Sequence, residues 1–148
     1  MKKIIAILLL LLTVGVKAQV YNPVKWTTSV VKISESEYEL IAKAAIEKGW
    51  HLYSQTVPEE GPLPTKFSFE GKGEYLKKGN TKEEEGHVVN DPIYGMKIKY
   101  FENKTIFKQR IKLKDKSPKQ IKASVEFMAC DDTKCLPPKE AELLFKMK

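Results

Sequence analysis

From Val24 onward, apolar and polar residues alternate more often than they recur at helical spacing. Val24, Trp26 and Thr28 lead into Val30, Val31 and Ile33, a strand-like run that ends at Ser34-Glu35-Ser36. Tyr38, Leu40, Ala42, Ala44 and Ile46 then recur at every second position, with Glu37, Glu39 and Lys43 between them. A period of two predicts a half-buried strand. The same alanine-rich stretch also fits an amphipathic helix through Ile41, Ala44 and Ala45, and the strand is the favoured reading. Further strands are predicted at Lys66 to Glu70, Met96 to Phe101, Thr105 to Leu113, Ile121 to Met128 and Glu140 to Met147. Pro58, Gly61, Pro62 and Pro64 mark a loop in which no helix could persist. The polar stretch from Gly71 to Gly86 reads as a turn-rich excursion with room for one short strand at Tyr75-Leu76. Short strands separated by proline and glycine turns, with no convincing helix, predict an all-β chain folded as a β-sandwich.

The first 18 residues follow different rules. Lys2 and Lys3 precede the apolar run Ile4 to Leu12, and Val16-Lys17-Ala18 ends in a small residue. This is the pattern of a secretory signal peptide over residues 1–18, leaving one mature domain over residues 19–148. The apolar run is too short for a span of about 20 residues, so no membrane span is expected after cleavage. A mature chain of this size suits one domain with a real core. Three lysines leave with the leader, so 26 cationic side chains become 23 against 19 anionic ones, a net charge of +4. Lysines interleaved with glutamates form no basic stripe, and no nucleic-acid partner is expected.

Export places Cys130 and Cys135, the two cysteines of the chain, where disulfides form, and an even count suggests that they pair with each other. Four polar residues, Asp131 to Lys134, separate them, and Leu136-Pro137-Pro138 follows. In the chain-entropy picture so short a loop contributes only about 2 kcal/mol, whereas a bridge across most of the domain would contribute nearly 5. A close pair on a turn is poorly placed to staple a fold and better placed to open and close. Thiolate is the attacking species, and neighbouring carboxylates oppose it while cations favour it. Cys130 adjoins Asp131 and Asp132, and Cys135 adjoins Lys134, so Cys135 is the candidate for exchange with a partner and Cys130 the candidate for resolution.

The segment Cys130-x4-Cys135-Leu136-Pro137-Pro138, with Asp91-Pro92-Ile93-Tyr94-Gly95 and Gly49-Trp50-His51-Leu52-Tyr53 upstream, resembles the N-terminal periplasmic domain of the bacterial thiol:disulfide interchange protein DsbD. The resemblance runs from about Trp26 to Phe145 and implies an immunoglobulin-like sandwich in the periplasm. It implies thioredoxin-like partners as electron donor and acceptors, and a role as a component of a protein-disulfide reductase. It also makes Cys135 the exchanging cysteine and Cys130 its internal partner. A cap loop of Asp91, Ile93, Tyr94 and Gly95 would shield the disulfide, Ile93 standing where the family has an aromatic residue, and Tyr53 would lie near the cysteines. The transmembrane and C-terminal thioredoxin-like domains of the full interchange protein find no room in 148 residues, so a stand-alone, monomeric exported domain is expected.

Other constellations carry less. His51 and His87 are far apart in sequence and lack any paired spacing, so no metal or other cofactor is expected; His51 reads as a sandwich-end or surface residue and His87 as part of a solvated turn. The Glu83-Glu84-Glu85 run reads as a solvated loop, and Trp26, Tyr38 and Trp50 as core. The residues also fit a different class of protein, a non-catalytic immunoglobulin-like binding or structural module with a permanent local disulfide.

Overall fold

The computed structural model of the chain describes residues 21–71, 73–114 and 118–147, so the leader expected over residues 1–18 lies outside the described residues. The alternation seen in the sequence becomes eleven strands among these residues: β1 (Val24–Lys32), β2 (Glu37–Ile46), β3 (His51–Tyr53), β4 (Lys66–Glu70), β5 (Tyr75–Glu83), β6 (His87–Asp91), β7 (Met96–Glu102), β8 (Lys104–Leu113), β9 (Gln120–Phe127), β10 (Ala129–Cys130) and β11 (Lys139–Lys146). They pair antiparallel in three sheets, ordered β1-β2-β8-β5, β10-β3-β7-β6 and β11-β9-β4. No helix occurs among the described residues, and none is long and apolar enough to cross a membrane.

The period of two decides between strand and helix in β2. Tyr38, Leu40, Ala42, Ala44 and Ile46 are all buried, and the residues between them are not. A helix would have spread those five side chains around its circumference. Beneath β2 the inward residues of β8 and β9 and of β11, notably Phe107, Ile111, Val125 and Phe145, close one apolar core. Trp26 stands at its centre of aromatic contacts, with ring centroids 5.6–5.8 Å from those of Phe67, Phe107 and Phe127. Full burial of each such side chain is worth roughly 1.5–3 kcal/mol, so this layer is the main source of stability.

Two strands depart from the pattern read in the sequence. The stretch expected to be an excursion contains the nine-residue β5, whose residues from Leu76 to Asn80 are all exposed. It joins the sheet through main-chain bonds to β8, and a bulge between Lys78 and Lys82 shifts its register. An edge strand of this kind has no buried face to impose alternation. His87, expected in a turn, begins β6, which pairs along its length with β7. Gly86 precedes it where a Cβ would meet the Tyr100 carbonyl oxygen at 2.6 Å, so only glycine lets the chain enter β6 this close to β7.

The glutamate run is likewise not a free solvated loop. Glu83 accepts hydrogen bonds from Ser54 Oγ and the Gln55 amide and pairs with Lys99 Nζ at 3.0 Å, its side chain only 14% exposed. Burial opposes its charge, but these donors outweigh burial and hold its carboxyl below the ordinary range. Glu84 accepts from the Ile106 amide. Together they tie Ser54 and Gln55, just after β3, to the end of β5, to Lys99 on β7 and to Ile106 on β8.

Candidate functional site

The cysteines sit at the β10 edge of the β10-β3-β7-β6 sheet. β10 is only two residues long and pairs with β3, placing Ala129 opposite Leu52 and Cys130 opposite His51. The alternation of the two short strands divides their side chains: Leu52 and Ala129 enter the main core, while Tyr53 and Cys130 join Ile98 in a second, smaller buried cluster. Partly buried Tyr94, Met96, Met128 and Cys135 pack around that cluster.

Cys130 and Cys135 form a disulfide, and their backbones make an isolated antiparallel bridge. The turn between them is built by Asp131. Its Oδ1 accepts from the Thr133 amide, the Thr133 hydroxyl and the Lys134 amide, each at 2.8 Å. The Thr133 amide and hydroxyl above all hold this carboxyl below its usual range. The Asp131 charge is therefore spent on the turn. Lys134 Nζ lies over the Trp50 ring, 5.9 Å from its centroid. Burial distinguishes the two sulfurs more directly than neighbouring charge: Cys130 is 0% exposed and Cys135 is partly exposed.

Over the pair lies the turn joining β6 to β7. Asp91, nearly fully buried, accepts the Ile93 and Tyr94 amides on Oδ1 at 2.9 and 3.1 Å and the Tyr53 hydroxyl on Oδ2 at 2.8 Å. Its carbonyl accepts the Gly95 amide at 2.8 Å, and Gly95 takes the left-handed conformation (φ 64°) that closes the turn without strain. The turn thus directs Tyr94 inward: its hydroxyl stands 4.0 Å from Cys135 Sγ and 3.6 Å from Met128 Sδ, and its ring meets Tyr53 edge-on. Ile93, one of the four cap-loop residues expected to shield the pair, is 40% exposed. The aromatic roof is supplied one position later. Burial, and then the Asp91 charge, raise the Tyr94 pKa; burial and the bond to Asp91 raise that of Tyr53 well above the usual phenol range. Both remain neutral hydroxyls at ordinary pH.

The structure brings together Cys130, Cys135, Asp91, Tyr94, Gly95 and Tyr53, residues separated by as much as 82 positions in the chain. It adds Met128 and Ile98, apolar positions that nothing in the sequence singles out. His51, read as a sandwich-end or surface residue, is buried and lies opposite Cys130: the ring stacks on Tyr100 at 4.4 Å and meets Tyr53 edge-on. His87 stands near the same tyrosine, with ring centroids 6.3 Å apart. No group of three or more His, Cys, Asp or Glu among the described residues is arranged to hold a metal ion.

The sequence matches the family described as thiol:disulfide interchange protein DsbD, N-terminal, over residues 21–146. The chain belongs to this family. Among solved structures, the N-terminal periplasmic domain of ScsB from Proteus mirabilis superposes with a TM-score of 0.57 at 13% identity, over 83% of this chain and 45% of that one. The reduced DsbD N-terminal domain from Neisseria meningitidis gives 0.50 at 11% identity, over 83% of this chain and 86% of that one. The chain thus spans under half the length of the ScsB domain. At these identities the likeness is one of fold, and it makes this DsbD-type sandwich immunoglobulin-like. A comparison with curated proteins found no match.

Proposed function

We propose that this DsbD-type domain works in the periplasm as a thiol–disulfide exchange unit, relaying reducing equivalents between thioredoxin-like proteins through Cys130 and Cys135. In the dithiol form the Cys135 thiolate attacks a partner disulfide. A bond forms between Cys135 and one partner sulfur, and the other partner sulfur leaves as thiolate. Cys130 then attacks Cys135 Sγ and expels the first partner sulfur, leaving the pair oxidised by two electrons and the partner reduced by two. Electrons enter by the reverse route from a thioredoxin-like donor.

The observation that carries this reading is the asymmetry of the pair under a separable roof. Cys130 is enclosed and Cys135 is partly exposed, with the Tyr94 hydroxyl 4.0 Å from its sulfur. Several of the hydrogen bonds that hold the roof converge on the single carboxylate of Asp91. A docking partner can lift such a turn without disturbing the main core, and until it does the roof limits idle reaction with small oxidants. Family membership supports the same reading. Equilibration of the pair against thioredoxin-like couples of known potential tests it: a midpoint above about −300 mV with rapid exchange is expected, whereas a pair far below that, inert to such proteins, would mark a permanent structural bridge.

A further inference from the structure

Inside the second cluster one polar atom is unaccounted for. His51 is 3% exposed, and its Nε2 has no hydrogen-bond partner among the described residues. Buried polar atoms in folded proteins are nearly always paired, so a partnerless imidazole nitrogen calls for an explanation. His51 also lies directly opposite Cys130 in the β3–β10 ladder. Residues so opposed in an antiparallel pair share one face, with Cβ atoms about 4.5–5.5 Å apart. The ring is held in place, stacked on Tyr100 and edge-on to Tyr53.

The buried carboxylate on this side of the sheet is engaged. Asp91 already receives the Tyr53 hydroxyl and two main-chain amides. Cys130, fully enclosed, must nevertheless lose a proton each time it attacks and regain one each time it is displaced. Imidazole is the side chain suited to that exchange near neutral pH. Resting on the exchange reading above, we propose that His51 is the proton acceptor and store for Cys130. When the mixed disulfide resolves, the Cys130 thiol proton passes to His51, the Cys130–Cys135 bond forms, and the Cys135–partner bond breaks with its electron pair leaving on the partner sulfur. The imidazolium then releases its proton to water. When a donor thiolate attacks Cys135 instead, Cys130 departs as thiolate and is protonated from His51. In the dithiol form Cys130 carries an S–H on the sheet face it shares with His51, a donor that the disulfide form lacks.

The charged and titratable groups around His51 are Tyr53 on its own strand, Tyr100 and Glu102 on β7, Cys130 on β10, and, across Tyr100 and Tyr53, His87 and Asp91 on β6 and Asp132 in the turn between the cysteines. The pH dependence assigned to His51 must be read against these. The test is rapid mixing of the reduced protein with an oxidised thioredoxin-like protein, with acid-quenched mass spectrometry following formation and decay of the mixed disulfide. His51→Gln and His51→Phe, the latter retaining an aromatic ring against Tyr100, are expected to leave formation unchanged and slow resolution at least tenfold at pH 7. The gap should narrow as pH rises, because hydroxide then deprotonates the thiol without the imidazole. Resolution at the wild-type rate with the wild-type pH profile in both variants would overturn the proposal. A second measurement needs no variant: nitrogen NMR of His51 in the unaltered protein, oxidised and then reduced with dithiothreitol. Titration of the imidazole together with the Cys130 thiol in the reduced form supports the link, and identical titrations in the two forms refute it. If no mixed disulfide forms even with Cys130→Ser, the exchange reading falls instead, and the NMR comparison still decides whether the two groups share a proton.

Discussion

The main core and the cysteine cluster lie on opposite faces of the same short strand, β3, and are held by different means. Leu52 points into a layer of apolar side chains contributed by all three sheets. Tyr53, the next residue, points into a cluster of three buried residues whose order depends on directional contacts: a tyrosine to a carboxylate, a carboxylate to two amides, a phenol over a sulfur. Apolar burial is spread over many contacts and survives small displacements. The polar fastening of the cap is concentrated in Asp91 and is lost together. One side of the strand therefore supplies stability, and the other supplies a cover that can be released.

The largest effect expected from breaking this contrast lies in the core. Phe107→Ala should cost about 3–5 kcal/mol in denaturant unfolding, while the disulfide in the folded fraction reacts at the wild-type rate. Asp91→Ala should cost less, about 2–3 kcal/mol, because it strands the Tyr53 hydroxyl and frees two amides; here the pair should also react several-fold faster with a small thiol reagent. An equal reactivity in the two variants would abolish the distinction.

Glu83→Gln probes the knot beside the site and should cost about 1–2 kcal/mol at pH 7. Its folded-state pKa is depressed, so the stability it contributes is present above its unfolded value near pH 4.3 and is lost as pH falls through the lower folded value. Unfolding curves of wild type and variant should converge in acid. Tyr94→Ala should change stability least, by under about 1 kcal/mol, yet raise access to Cys135 several-fold, since this partly buried ring roofs the sulfur and fills little of the core. A large loss of stability there would show that the cap belongs to the core.

The same contrast explains what could be read in the sequence. Strand β2 was legible because one whole face is buried, which forces alternation at Tyr38, Leu40, Ala42, Ala44 and Ile46. Strand β5 was not, because its place is fixed by main-chain pairing to β8 while its side chains from Leu76 to Asn80 face solvent. At the site, the cysteines and the Asp91 to Gly95 turn could be picked out by residue type and resemblance. That the Tyr94 hydroxyl reaches the sulfur depends on turn geometry fixed by the Asp91 side chain, which residue type alone does not reveal. The burial of His51 is set by pairing to β7 and β10, partners about 50 and 80 positions away in the chain. Local charge beside the cysteines was visible, but the structure spends Asp131 on its own turn and lays Lys134 over Trp50, so enclosure separates the two sulfurs more clearly.

The claim on which the account rests is that one sulfur meets partners and the other does not. Mixing Cys130→Ser and Cys135→Ser separately with an oxidised thioredoxin-like protein, then weighing the intact products, tests it directly. A stable mixed disulfide with Cys130→Ser and none with Cys135→Ser is the predicted result; equal trapping by both variants, or trapping by Cys135→Ser alone, would contradict it.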